Sequence, residues 1–190
     1  MGDEEMITAA DLRPYKGSAS AEAVDLLALI AQLRRERAPF YLTLTEFDRI
    51  VRWKLRRQYH RTRSQRDTWT DHEVRDVTRE ALDQPSLAER DDVDRRVDRL
   101  CALSGVGMGV ASATLALTFP DDYATIDRFN WPLLFDEERT TFTRGHYKRY
   151  LSEIRRLKDA LNAALAQGDR PWTMQGVDVA IWHYADARRR

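Results

Sequence analysis

Apolar positions recur at helical spacing through most of the chain. Between Ala21 and Arg35, the residues Val24, Leu26, Leu27, Leu29, Ile30 and Leu33 mark a helix with a broad buried face. Thr43-Leu-Thr-Glu46 has capping-box spacing, in which hydroxyl and carboxylate each satisfy a free backbone N–H. A second helix is therefore expected to start there and to run on through the basic stretch that follows. Thr70-Asp-His-Glu73 repeats the signal and opens a third helix, closed near Gln84-Pro85. Val93, Val97 and Leu100 define a fourth, reaching Leu103. From Val110 to Phe119 nearly every residue is apolar or small, the pattern of a helix buried on all sides, and Pro120-Asp121 stops it. Tyr147, Tyr150, Leu151, Ile154, Leu157, Leu161 and Leu165 stripe a long amphipathic helix over Thr143–Ala166, and a last one spans Met174–Ala187. Residues 1–18 lack periodicity and are expected to form a loose N-terminal arm before a helical domain over 19–190. No segment reads as a convincing strand, so the expected class is all-α.

The length of 190 residues, with 43% hydrophobic and 33% charged, suffices for one well-buried core. No window approaches the roughly 18 apolar residues of a membrane span, and Met-Gly-Asp-Glu-Glu is acidic where a secretory signal would be basic. A cytoplasmic monomer with no membrane association is expected. A single cysteine, Cys101, excludes an internal disulfide, a cysteine-rich zinc finger and a four-cysteine iron–sulfur cluster. His60, His72, His146 and His183 have no ligand spacing, so neither a metal nor another cofactor is expected. Net charge is zero, but charge is segregated. Arg49–Arg66 holds eight basic residues and no acidic one, whereas Asp67–Arg99 holds eleven acidic and six basic residues. The basic run reads either as a solvated helix face or as a surface for nucleic acid.

Three glycines fall in Leu103-Ser-Gly105-Val-Gly107-Met-Gly109, between two segments that each look like complete helices. Clustered glycines at a helix N-terminus remove side chains, permit positive φ and leave backbone N–H groups free for an anion such as phosphate. The same composition also suits a tight helix–helix turn with glycine as the C-terminal stop. It is no P-loop, because no Gly-Lys-Ser/Thr follows.

Leu103-x-Gly105-Val106-Gly107-x-x-x-Ala111, running into a small-residue helix and on to Ile126-Asp127, resembles the helix-hairpin-helix DNA glycosylase superfamily of base-excision repair. In that superfamily the hairpin reads Leu-x-Gly-Val-Gly-x-Lys-Thr-Ala, and an essential aspartate lies 18 residues beyond the lysine. Here the lysine position is Gly109, and Asp127 stands at that distance. The resemblance covers about Leu100–Leu134. It implies a two-lobed helical fold with the hairpin over about 97–118, a cleft between lobes for double-stranded DNA containing an altered base, and base flipping. It assigns phosphate binding to the amides of Gly105, Gly107, Met108 and Gly109, and catalysis to Asp127. A fixed carboxylate beside C1′ stabilises the positive charge that builds on the sugar as the N-glycosidic bond breaks, and orients the attacking water. Asp127 also suits a helix N-cap. Gly109 stands where bifunctional members carry a Schiff-base lysine, so hydrolytic base release without strand cleavage is expected, with Lys54 as the exception if its amine reaches C1′. Arg128-Phe129-Asn130-Trp131-Pro132 departs from the commoner residues after the aspartate.

A second feature lies on the helix after Thr43. Phe47, Ile50 and Val51 define a buried face that 3.6-residue steps continue to Lys54 and Gln58. Both polar groups either snorkel past the end of a core or point into a cleft as contacts to a phosphate or base. Trp53 and Tyr59 are placed to stack on an extruded base, or to pack in the core. Ser104 and Ser112 have no neighbouring base in the sequence that would make either a nucleophile. The leading expectation is a monofunctional, metal-free DNA glycosylase. The alternatives are a non-catalytic helix-hairpin-helix DNA-binding protein and a helical interaction protein whose hairpin is only a turn.

Overall fold

Local capping starts several helices where the sequence places them. In this computed structural model, which describes residues 7–83 and 90–188, ten α-helices follow one another, with no strand among the described residues. They are α1 (Ala9–Leu12), α2 (Ala21–Glu36), α3 (Leu44–Leu55), α4 (Arg63–Arg66), α5 (Asp71–Leu82), α6 (Arg90–Cys101), α7 (Met108–Thr118), α8 (Trp131–Phe135), α9 (Arg144–Ala163) and α10 (Met174–Arg188). Thr43 and Glu46 close the expected capping box on α3, with the Thr43 amide donating to Glu46 Oε2 at 2.8 Å. Ser20 and Thr70 each accept an amide proton from the residue three positions on, opening α2 and α5. The expected stop at Gln84-Pro85 lies outside the described residues.

Helix α7 occupies the centre, buried from Val110 to Thr118. Ala111, Ala113 and Ala116 leave room for neighbours, and α2, α3, α6 and α10 all pack against it. Its polar residues are satisfied within the helix. Thr114 and Thr118 donate to the carbonyls of Val110 and Thr114 at 2.9 and 2.8 Å, as burial requires.

Helix α6 is tied down by charge. Arg96, fully buried, donates to Asp92 Oδ2 and to the Ala81 carbonyl of α5, each at 2.6 Å, and Tyr123 Oη donates to the same carboxylate at 3.0 Å. One buried ion pair thereby joins α5, α6 and the loop after α7. Among the described residues, no helix is long and apolar enough to cross a membrane.

Two expectations about the chain path are overturned. Residues 7–18 are no loose arm: Ile7 and Leu12 enter the core and α1 packs against α9 and α10, while residues 1–6 of the expected arm lie outside the described residues. The second helix does not run through the basic stretch. It ends at Leu55; Arg56 adopts φ +47°, and residues 56–62 wind into a tighter 3₁₀ helix before α4. The reason is a clip of side chains. Tyr59 Oη donates to Asp48 at 2.7 Å, Arg66 donates to Asp48 Oδ1 at 3.1 Å and to the Tyr59 carbonyl at 2.9 Å, and the Arg66 guanidinium lies 3.4 Å from the Tyr59 ring centre. These charge-assisted contacts with α3 itself would be lost if the helix ran straight.

Candidate active site

Helix α3 ends in the Trp53-Lys54-Leu55 turn, and the buried stripe of Phe47, Ile50 and Val51 aims Lys54 inward as its periodicity requires. Lys54 Nζ donates to Asp127 Oδ2 at 2.9 Å and to the Ile126 carbonyl at 3.1 Å. The side chains of the pair retain 12% and 26% of their exposure, so both are held yet reachable from solvent. The second Asp127 oxygen accepts the Phe129 amide at 2.8 Å. Burial pushes the Asp127 carboxyl up, but the adjacent Lys54 ammonium and the Phe129 amide outweigh it and hold the group below its ordinary value. It stays ionised at neutral pH.

The segment bearing Asp127 is fixed residue by residue. Tyr147 Oη donates to the Ala124 carbonyl at 3.0 Å, Thr125 Oγ1 donates to Gln175 Oε1 at 3.1 Å, and Ser112 Oγ accepts the Ile126 amide at 3.2 Å. The Ser112 hydroxyl in turn donates to the Gly109 carbonyl at 3.1 Å, which links the first turn of α7 to the aspartate segment. None of these anchors was visible in the sequence, where Ser112 offered only a hydroxyl without a base. Pro132 fits without strain, because α8 begins at Trp131 and the proline occupies its first turn, where no amide is needed. Asp127 accordingly is not the cap of α8; its carbonyl accepts the Trp131 amide at 3.1 Å.

Behind the pair lies a buried polar cluster. Asn130 Nδ2 donates to Asp178 Oδ1 at 2.8 Å and to the Asp178 carbonyl at 3.1 Å, and Tyr150 Oη donates to the same carboxylate oxygen. Burial raises the Asp178 carboxyl to about 7, against the pull of Tyr150, Lys54 and Asn130, and the Asp127 charge adds to the rise. The titration of Asp178 is therefore coupled to the Lys54–Asp127 pair.

The glycine turn sits at the other side of Lys54. Gly105 has φ +80°, and a Cβ there would lie 2.8 Å from Gln65 Cβ, so only glycine fits without a shift. The Trp69 indole donates to the Ser104 carbonyl at 2.9 Å and pins the turn. The amides of Gly107, Met108 and Gly109 donate to no described residue, and Gly107 is exposed. A Cβ on Gly109 would stand 3.4 Å from Lys54 Cε, which places Lys54 across the first turn of α7.

Lys54, Gly109 and Asp127 thus come together, and the other candidates are dispersed around them. Trp53 is half-buried against the core, with its indole N–H enclosed and unpartnered. Gln58 is exposed on the 3₁₀ segment. Tyr59 is held by Asp48, with Arg52 and Arg66 both over its ring. Of the eight basic residues in 49–66, Lys54 and Arg66 turn inward while the six others are exposed. A groove of about 900 Å³ lined by Leu134, Phe135, Lys148, Arg149 and Arg156 includes none of these site residues. Among the described residues, no cluster of three histidine, cysteine or acidic side chains is arranged to hold a metal. No family model, curated protein or solved structure matches this chain.

Proposed function

We propose that the chain is a DNA glycosylase that flips an altered base from duplex DNA and hydrolyses its N-glycosidic bond at Asp127. The carrying observation is the state of that carboxylate: ionised, reachable, and immobilised by bonds to four successive residues, 124–127, beside an α-helix N-terminus with free amides. Transition-state charge is stabilised best by groups that need not reorganise. On this reading the amides of Gly107, Met108 and Gly109 hold a phosphate, the exposed arginines of 49–66 hold the flanking backbone, and Asp127 faces C1′ of the flipped nucleotide. The two-lobed fold with a helix-hairpin-helix over α6 and α7, and duplex DNA with an altered base as partner, belong to the same proposal.

A second reading has its own support. Asp127 is already neutralised by Lys54, as a purely structural ion pair would be, and this favours a DNA-binding protein without chemistry. Base release separates the two. Duplexes that each carry one oxidised, alkylated, deaminated or modified base are incubated with the protein, and abasic sites are developed with hot alkali. Asp127→Asn should lower release about 10²-fold or more with DNA affinity little changed, because the charge acts mainly in the transition state. Undiminished release in a folded Asp127→Asn protein would end the catalytic assignment.

A further inference from the structure

We propose that Trp182, on α10, is the ring on which the extruded base stacks, and that its setting selects a neutral base over a cationic, ring-alkylated one. This rests on the glycosylase reading and names the substrate class of the same site. Of the five tryptophans, Trp69, Trp131 and Trp172 lie within the hydrophobic core and Trp53 packs against it, whereas the half-buried Trp182 stands outside it. Core packing therefore does not account for this indole. Its position follows from α10. Gln175, Asp178 and Trp182 fall at i, i+3 and i+7, on one face of that helix. Gln175 is buried under Thr125 at 3.1 Å and Asp178 under Asn130 at 2.8 Å, so this face runs along the segment that bears Asp127. Trp182 comes one turn later, where the face is no longer fully buried. From the other side, Lys54 holds Asp127 at 2.9 Å, and Arg56, two residues further on, has its guanidinium 5.5 Å from the Trp182 ring centre. The end of α3 thus bridges the carboxylate and the indole, and the ring stands on the side of the site where α3 and α10 meet. His183 stands perpendicular to the ring at 5.1 Å, and the base stacks on the face that Arg56 does not cover.

Charge sets the class of base. Arg56 and Arg128 are exposed, and neither has an ion-pair partner among the described residues. Arg128 follows Asp127 directly and lies over the exposed Phe129 ring at 4.7 Å. Three cations, Lys54, Arg56 and Arg128, therefore stand around the Asp127 carboxylate. A guanidinium already over the indole takes up the attraction of the π face for positive charge and repels a second cation brought to the opposite face. A purine alkylated on a ring nitrogen carries that charge. An oxidised or deaminated base is neutral and presents carbonyl oxygens, which guanidinium N–H groups can meet.

The test uses the full chain and duplexes that each hold one uracil, hypoxanthine, oxidised guanine, or cationic guanine methylated on its imidazole ring. Release of the best of the three neutral bases should exceed release of the methylated guanine, corrected for its spontaneous loss, by about tenfold or more. Arg56→Gln should narrow that preference. Trp182→Leu keeps an apolar side chain without a ring, so release should fall about tenfold or more, and Trp182→Phe should recover most of it. Stacking also quenches indole emission, so rapid mixing with the duplex should quench tryptophan fluorescence before release, and Trp182→Phe should lose that quench. Faster release of the methylated guanine overturns the inference, as does a quench that survives in Trp182→Phe or release at the original rate in a folded Trp182→Leu protein. Each of these leaves the glycosylase reading intact. A quench that depends on Trp182, with no release from any duplex, upholds the stacking residue and ends the glycosylase reading. Neither quench nor release ends both. The fluorescence of Trp182→Phe decides the stacking role even where Trp182→Leu fails to fold.

Discussion

Replacing Asp178 by asparagine should make the protein more stable at pH 8 and slightly less stable at pH 4. Asp178 is buried, and its carboxyl is raised from an ordinary 3.8 to about 7. Across that interval the native state holds a proton that the unfolded chain has released, so folding stability falls as pH rises from about 4 to about 7. The penalty is absent below the unfolded pKa and complete above the folded one. At 1.36 kcal/mol per pKa unit it amounts to roughly 4 kcal/mol. An amide at position 178 does not titrate, and it still accepts from Asn130 Nδ2 and Tyr150 Oη, the two side-chain donors to Oδ1. Its extra N–H donors need partners, which offsets about 1 kcal/mol at every pH. The expected balance is a gain of about 3 kcal/mol at pH 8 and a loss of about 1 kcal/mol at pH 4. Asp92, Asp127 and Glu46, all held low, lose stabilising charge only as pH falls further, and they do so in both proteins. Urea midpoints for the two proteins at each pH from 4 to 8, at unchanged m, isolate the difference. A difference that stays constant over that range would refute a buried, neutral-range Asp178.

Arg96→Ala should destabilise the fold by about 3 kcal/mol, measured by urea unfolding, because it leaves the buried Asp92 carboxylate with only Tyr123 and the half-exposed Arg95 as partners. Gly105→Ala should cost at least about 1–2 kcal/mol for its left-handed φ, and more for the 2.8 Å approach to Gln65 Cβ. Gly107→Ala meets nothing within 4 Å and should leave the melting temperature unchanged while weakening DNA binding, which calorimetry and a binding titration would show. Lys54→Gln removes a cation that helps hold Asp127 low against its burial, so the carboxyl rises and the acid limb of the base-release profile should move to higher pH. Binding to DNA should weaken steeply with salt, with log K falling by about 0.9 per phosphate neutralised; a flat plot would remove nucleic acid as the partner.

The sequence by itself determined the all-helical class and the longer helices. Thr43 with Glu46, and Thr70 and Ser20 at their N-caps, act through groups three residues apart, and such contacts form or fail locally. The small-residue composition of 110–118 sufficed to bury α7, and the stripe through Phe47, Ile50 and Val51 sufficed to turn Lys54 inward. The site was legible only in its separate pieces: a lysine on one helix, a glycine turn, and an aspartate. What joins them is long-range. Lys54 and Asp127 are 73 residues apart, and Thr125 and Gln175 are 50 apart, so no local pattern encodes either contact. The end of α3 was equally hidden, since no glycine or proline marks it. Arg66 and Tyr59 must first reach back to Asp48 before a bend at Arg56 becomes the favourable path. The arm was misread for the same reason: Ile7 and Leu12 are too few to show a period, yet α9 and α10 provide an apolar surface to bury them. Periodicity and capping are short-range terms and can be read along the chain. The pairing of charges, the pinning of a loop and the neutral-range Asp178 depend on which distant groups are desolvated together, and only the tertiary structure decides that.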